Sequence, residues 1–368
     1  MAKPPTSTTD EHALRLELPA RFWQSSVVLV AVSGGSDSLA LALSLQHARK
    51  RRAVLQPVPE LLAFHFDHRW HEDSANLASW VEQTLAAHGV PTIIRRRDDG
   101  KTSESAPCGT SVDGPQSEGD ARRCRYAAME LAARATGASF VATGHTRDDQ
   151  VETVLMRIAR GTGISGLAGI PNQREFYQDC WLIRPLLSET RQRLRDYLHS
   201  IGQEFWDDPT NTDLRWTRNR VRCSVLPWLR QNFSTDIDQS LLRLSELASD
   251  HQKMLQYLAE TNRAAVLELT NQSLVVDVRP WSALPENVVR SLLIYWWERA
   301  NLPLQEMDFD HWCRLTRIAF RTSEANSPDR WPSEFHFPGH VVAKRSGGIL
   351  RISVDPMKTP NDSTFPAS

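Results

Sequence analysis

The chain has 368 residues, 40% of them hydrophobic and 24% charged, with a formal net charge of −1. This length exceeds one ordinary core, so two or three units are expected, and the composition is that of a globular protein. No apolar run approaches the roughly 20 residues of a membrane helix, and the polar start MAKPPTSTTDEH lacks the order of a secretory signal, which reads as cytoplasmic with no membrane partner.

In chain order, short apolar runs fall at 27–32 (VVLVAV), 61–66 (LLAFHF), 90–94 (VPTII) and 139–143 (SFVAT). Each is followed by helical spacing, over about 38–50, 73–88, 119–136 and 147–160. Strands alternating with helices predict an α/β fold with a doubly wound, mostly parallel sheet, whose ligands sit at the carboxyl ends of the strands. Residues 1–24 read as an N-terminal extension and 25–230 as the α/β domain, with a Gly, Ser and Pro-rich surface loop at 98–117. Beyond it, 188–200, 237–270 and 283–300 have helical patterns, so 235–355 is expected to be a mainly helical second domain. Near its end FPGHVVAKRSGGILRISV alternates around Gly347-Gly348 as a hairpin does, and 356–368 is a polar tail.

The first strand breaks into SGGSDS, Ser33 to Ser38. Glycines directly after a buried strand let backbone N–H groups converge on an anion, and the positive end of the next helix adds to the attraction. The loop lacks the lysine of G-x-x-x-x-G-K-[ST] and is shorter than G-x-G-x-x-G, so neither a Walker A nor a dinucleotide loop fits. Further polar sets follow the other strands: HFDHRWHEDS from His65, ARRCRY from Ala121, and TGHTRDDQVETVLMRIARG from Thr143. In the last set Asp148, Asp149 and Glu152 fall on adjacent faces of a helix start. One carboxylate there suits the helix dipole, but three repel unless a magnesium ion or an ammonium group lies between them.

SGGSDS resembles the pyrophosphate-holding loop of the N-type ATP pyrophosphatases. Together with HFDHRWHEDS, ARRCRY, TGHTRDDQVETVLMRIARG, GLAGI, IRPLL and DDPTNTDLRWTRNRVRCSVLPWL, in this order, it resembles the tRNA(Ile)-lysidine synthetase family over about residues 25–230. The resemblance implies an adenine nucleotide alpha hydrolase-like fold. It also implies a ligase that uses ATP and Mg²⁺ to adenylate the C2 oxygen of the wobble cytidine in tRNA(Ile) with a CAU anticodon. The ε-amino group of free L-lysine then displaces AMP, giving lysidine and changing codon and amino-acid identity from methionine to isoleucine.

Carried over by position, the resemblance places Ser33, Gly34, Gly35, Ser36, Asp37 and Ser38 on pyrophosphate. Ala31, Phe64 and Asp67 fall beside adenine and ribose, and Gly144 and His145 complete the ATP site. Asp37 and Asp149 become the expected magnesium ligands, Asp149 and Glu152 the expected holders of the lysine ammonium. Arg122 and Arg125 would offset negative charge as the adenylate forms. Two departures stand out: Arg69-Trp70-His71 where the family carries Gly-Leu-Arg, and Thr146 where it has a second His.

Six of the 43 basic residues are Lys and 37 are Arg, an excess that suits phosphate and base edges but also follows from a GC-rich genome. RWTRNRVRCSVLPWLR, 215–230, has five Arg and no acid, and Arg215, Trp216, Arg218, Arg220 and Arg222 are expected to contact the tRNA. Oligomeric state stays open, a homodimer included. The rival reading is another adenylating enzyme of this loop class, a tRNA thiolase or a small-acid amide synthetase. Against a thiolase, the five cysteines (Cys108, Cys124, Cys180, Cys223, Cys313) are never spaced C-x-x-C and read as isolated reduced thiols.

Overall fold

A computed structural model describes residues 13–69, 73–97, 118–207, 213–320 and 334–355. The chain divides into two compact units, Met1–Glu246 and Leu247–Ser368. The expectations for 98–117, for Trp70 and His71 and for the 356–368 tail lie outside the described residues.

In the first unit the elements are β1 Val27–Ala31, α1 Ser36–Ala53, β2 Glu60–Asp67, α2 Ser74–Ala87, β3 Thr92–Arg96, α3 Glu118–Thr136, β4 Phe140–Thr143 and α4 Arg147–Ala159. These match the four strand–helix pairs read from the sequence. There follow α5 Ile164–Leu167, β5 Gln173–Tyr177, β6 Cys180–Ile183, α6 Arg191–Ser200, α7 Thr217–Arg220, α8 Leu226–Asn232 and α9 Ile237–Thr261, which runs across the division between the units. A π-helical segment, Val221–Val225, joins α7 to α8. β5 and β6 are absent from the sequence reading, because each is short and β5 carries polar residues without a clean alternation.

The sheet runs β3-β2-β1-β4-β6-β5, parallel except for the edge strand β5. β1 shows why its sequence is apolar throughout. Val28 and Val30 join one buried cluster with Leu39, Leu43 and Leu45 of α1, while Leu29 joins the other with Met129, Ala132 and Ala133 of α3. A strand covered on both faces has no side to leave polar. Each such side chain contributes about 1.5–3 kcal/mol by leaving water. α1 is buried at every position from Ser38 to Gln46, which pins the loop before it. The segment before β1 is held too: Phe22 is buried, and Glu17 N donates to Pro185 O at 2.9 Å.

The second unit contains β7 Val266–Thr270, β8 Ser273–Asp277, α10 Glu286–Arg299, α11 Phe309–Phe320, β9 Glu334–Phe337, β10 Val341–Ser346 and β11 Ile349–Val354. Its five strands form an antiparallel sheet ordered β7-β8-β11-β10-β9. The hairpin at Gly347-Gly348 is present, with Ser346 opposite Ile349 and Gly347 at φ +57°. The helix expected over 237–270 stops at Thr261. From Val266 the chain pairs with β8, and burial of Val266 and Leu274 against Trp281, Trp296 and Trp297 outweighs helical propensity there. The expected helices are thus accompanied by a sheet of which only the last hairpin was read.

Candidate active site

The order β2-β1-β4 makes β1 the switch point of the sheet: successive connections leave its two sides, and a crevice opens at the carboxyl ends. Ala31 lies opposite both Phe64 and Thr143 in register, so the loops after β1, β2 and β4 share one edge.

Gly34 has φ +96°, a conformation that favours glycine, and a Cβ there would also press on the Leu77 side chain, 2.7 Å from its Cδ1. Ser38 closes the loop. Its Oγ accepts from Ser33 N at 3.0 Å, lies 3.1 Å from Ser33 Oγ, and donates to Gly35 O at 3.1 Å. Gly35 is the N-cap of α1, whose first N–H groups have no partner within the helix, the arrangement that suits an anion. Trp206 N donates to Gly34 O at 3.0 Å and braces the outer side. A Cβ on Gly144 would come within 3.0 Å of the Asp37 carbonyl carbon and oxygen, so the loops after β1 and β4 touch backbone to backbone.

Thr146, the departure where a second His was expected, is the fully buried N-cap of α4. It forms a capping box with Asp149: its Oγ1 accepts from Asp149 N at 3.3 Å, while Asp149 Oδ2 accepts from Thr146 N at 2.8 Å and Oγ1 at 3.0 Å. Asp149 therefore commits one oxygen to fixing the helix and turns the other to the crevice.

The repulsion expected among the carboxylates is relieved by arginines. Arg191, the first residue of α6, donates from Nε to Asp37 Oδ2 at 3.2 Å, from Nη1 to Glu152 Oε1 at 2.7 Å, and from Nη2 to Asp149 Oδ1. Its backbone N donates to Asp148 Oδ2 at 2.9 Å. Arg218 donates to Glu152 Oε2 at 2.8 Å and Asp149 Oδ1 at 2.9 Å, and Arg222 donates to Glu152 Oε1 at 2.8 Å and Oε2 at 3.3 Å. Glu152, only 1% exposed, is thus held by three guanidiniums. Burial pushes the Glu152 carboxyl up, but the bonds from Arg222 and Arg191 overcome it and hold the group down at about 2. Burial likewise opposes Asp149, yet Arg191 and Arg218 leave it below its ordinary range. Asp37 goes the other way: burial, with Asp149 nearby, outweighs its single arginine and raises it.

His145 bonds through Nδ1 to Thr143 Oγ1 at 3.0 Å, and burial lowers it to about 3, so the imidazole is neutral. Phe64 and Asp67 are buried at the end of β2, where Asp67 Oδ1 accepts from Arg69 N at 2.8 Å. Burial, with Arg125 beside it, lowers His68 to about 4. Arg122, on the exposed side of α3, donates to Tyr126 Oη at 3.1 Å.

The five residues expected at the tRNA divide. Arg218 and Arg222 turn inward to the carboxylates; Arg220 is exposed and bonds Thr217 Oγ1 at 3.0 Å; Arg215 pairs with Asp213; Trp216 caps α7 and is 38% exposed. Arg191 was missed, although a signal existed: an arginine opening a helix right after its Thr190 cap opposes the helix dipole unless acids face it.

Among the described residues no three His, Cys, Asp or Glu side chains converge as a closed metal-ligand set. Magnesium commonly takes one or two carboxylates and completes its shell with substrate phosphates and water, and the Asp37 carboxylate, within the Ser33–Ser38 stretch at the start of α1, is of the type that use requires. Cys180, Cys223 and Cys313 are free, but Cys124 is disulfide-bonded, which corrects the reading of five isolated thiols; sequence spacing carries no sign of a pairing made only in the folded chain. No helix of the described residues is long and apolar enough to cross a membrane.

Residues 8–229 match the PP-loop domain. The tRNA(Ile)-lysidine synthase of Nostoc sp. is 29% identical over 340 residues, 88% of this chain and 91% of that protein. The tRNA(Ile)-lysidine synthase of Thermobifida fusca is 32% identical over 350 residues, 95% of this chain and 96% of that protein. Among solved structures, the U34-tRNA thiolase NcsA from Methanococcus maripaludis superposes with a TM-score of 0.51 at 16% identity, over 65% of this chain and 78% of that one, which is a likeness of fold alone. The sequence match over the PP-loop domain and nearly the whole length of these relatives places the chain in the ATP-dependent PP-loop family, among the tRNA(Ile)-lysidine synthases.

Proposed function

We propose that the protein ligates L-lysine to C2 of the wobble cytidine of tRNA(Ile) with a CAU anticodon, at the expense of ATP. The observation that carries this reading is the meeting of the β1 and β4 loops, where Arg191 joins Asp37 to Asp149 and Glu152. The N–H groups of Ser33 to Ser38 receive the β and γ phosphates, and Ala31, Phe64, Asp67, Gly144 and His145 shape the adenosine side. The cytidine C2 oxygen attacks the α-phosphorus and pyrophosphate leaves to the loop. Lysine's ε-ammonium gives a proton to solvent, its neutral amine then bonds to C2, and the C2–O bond breaks to release AMP. A magnesium ion bound at Asp37 would neutralise charge on the phosphates.

Lysine's ammonium is received at Asp149 and Glu152, where it takes the place of one guanidinium. Both carboxylates sit below their ordinary range, so they suit holding a cation better than accepting its proton. Arg122 and Arg125 offset charge on the adenylate. Arg215, Trp216 and Arg220, exposed on one segment, face the RNA, and Arg218 and Arg222 on that segment link it to the carboxylates. Met1–Glu246 would be the catalytic unit and Leu247–Ser368 the substrate-binding unit, working in the cytoplasm where tRNA, ATP and lysine meet.

Pyrophosphate release from ATP should require tRNA with a CAU anticodon, and labelled lysine should enter that tRNA. Release with a small carboxylic acid and no tRNA would refute this reading and favour an amide synthetase.

A further inference from the structure

Arg184 directly follows β6 at the carboxyl edge of the sheet and is 4% exposed. Its Nη1 donates to Pro171 O at 2.6 Å, while its Nε has no hydrogen-bond partner, and Tyr126 lies close enough to act on its charge. Tyr126 gathers two more arginines. Arg122 lies 4.9 Å over its ring and donates to its hydroxyl at 3.1 Å, and Arg174 of β5 lies 5.8 Å over the same ring. Arg174 stacks on Phe176 as well, at 5.8 Å, and is opposite Leu182 in register, next to the end of β6.

Three guanidiniums therefore converge on one phenol, and among the described residues no carboxylate pairs with any of them. Arg191, by contrast, is matched to Asp37, Asp149 and Glu152. A buried cation without a counter-ion and a buried donor without an acceptor are both costly, and both are relieved by an incoming anion. Planar forks held against aromatic faces suit the tetrahedral oxygens of a phosphate. Arg174 and Arg184 lie on the β6–β5 side of β4, while Arg122 and Tyr126 come from α3, which packs on β1 and β2, so the cluster borders the side where the nucleotide is expected and continues away from it. Neighbouring strands are about 4.8 Å apart, so Arg174 on β5 starts roughly 14 Å from β1 and is the member of the cluster farthest from the first loop.

We propose that Arg122, Arg174, Arg184 and Tyr126 form a subsite for a backbone phosphate of the RNA substrate, adjacent to the reacting nucleotide. The two exposed arginines and the hydroxyl touch the phosphate, and Arg184 acts from behind as a positioning residue that adds positive field beside Tyr126. The inference rests on the RNA-modifying reading above.

The test uses the full-length protein and a tRNA transcript with a CAU anticodon. Binding is measured across a salt series, beside ATP binding without RNA. Arg174→Met should weaken tRNA about tenfold and lower the log–log salt slope by about one, while ATP affinity stays within about twofold. Arg174→Lys should restore the slope. Arg184→Met should weaken tRNA similarly, with kcat at saturating tRNA falling less than kcat/KM. Unchanged tRNA affinity and slope in Arg174→Met would overturn the proposal, and so would a loss confined to ATP. If the wild type binds tRNA with these dependences but incorporates no lysine, the subsite stands and the lysidine reading falls.

Discussion

Glu152→Gln isolates the charge balance of the site. The wild-type carboxylate accepts from Arg191 at 2.7 Å, Arg218 at 2.8 Å and Arg222 at 2.8 and 3.3 Å. The amide keeps one acceptor, turns an N–H₂ group toward the guanidiniums, and leaves three arginines facing Asp37 and Asp149 alone. Removing one partner from a buried ion pair costs about 3–5 kcal/mol. Linkage gives a similar figure: the folded group at about 2 against its ordinary 4.5 corresponds to about 3 kcal/mol of stability at neutral pH. The sign follows from the depressed value. Unfolding takes up a proton between these two pH values, so this share is complete above pH 4.5 and is lost as pH falls toward 2. Urea unfolding followed by tryptophan fluorescence should show the variant about 3 kcal/mol less stable at pH 7, with a shallower decline below pH 4.5. Adding Arg222→Gln should cost less than it does alone, because the cation it removes has lost its acid. A loss below about 1 kcal/mol, the scale of an exposed pair, would refute the view that these arginines hold the site together.

Gly144→Ala places a methyl group 3.0 Å from three backbone atoms of Asp37 and Ser38 that cannot rotate away. Overpacking of this kind costs about 1–3 kcal/mol, so ATP affinity should fall about tenfold or more, whereas Gly163→Ala, with nothing within 4 Å, should leave it unchanged. Equal behaviour of the two variants would argue against contact between the loops. Arg220→Ala should lower the salt slope of tRNA binding by about one and leave stability intact, because its side chain is exposed. Arg218→Ala should act chiefly on stability and lysine incorporation through Glu152 and Asp149. Matching salt slopes and matching stabilities for the two would remove the distinction drawn between the faces of this segment.

The sequence by itself determined the catalytic half of the fold and most of its crevice. β1 and β4, in the middle of the parallel sheet, are covered on both faces and must be apolar, so they stand out as runs, and the polar residues just past them mark the sheet's carboxyl edge. Gly34 was legible as a glycine directly after a buried strand, and its φ of +96° is the conformation that favours glycine. Only the tertiary structure decided what neutralises Asp149 and Glu152. Arg191 lies 39 positions from Glu152, and Arg218 and Arg222 lie 66 and 70 positions away, so no periodicity links them. Side-chain spacing along one helix reports that helix's faces alone, whereas an ion pair between helices depends on how they pack. For that reason the four arginines, Arg215, Arg218, Arg220 and Arg222, that read as one RNA-facing run divide, once folded, between solvent and the buried carboxylates.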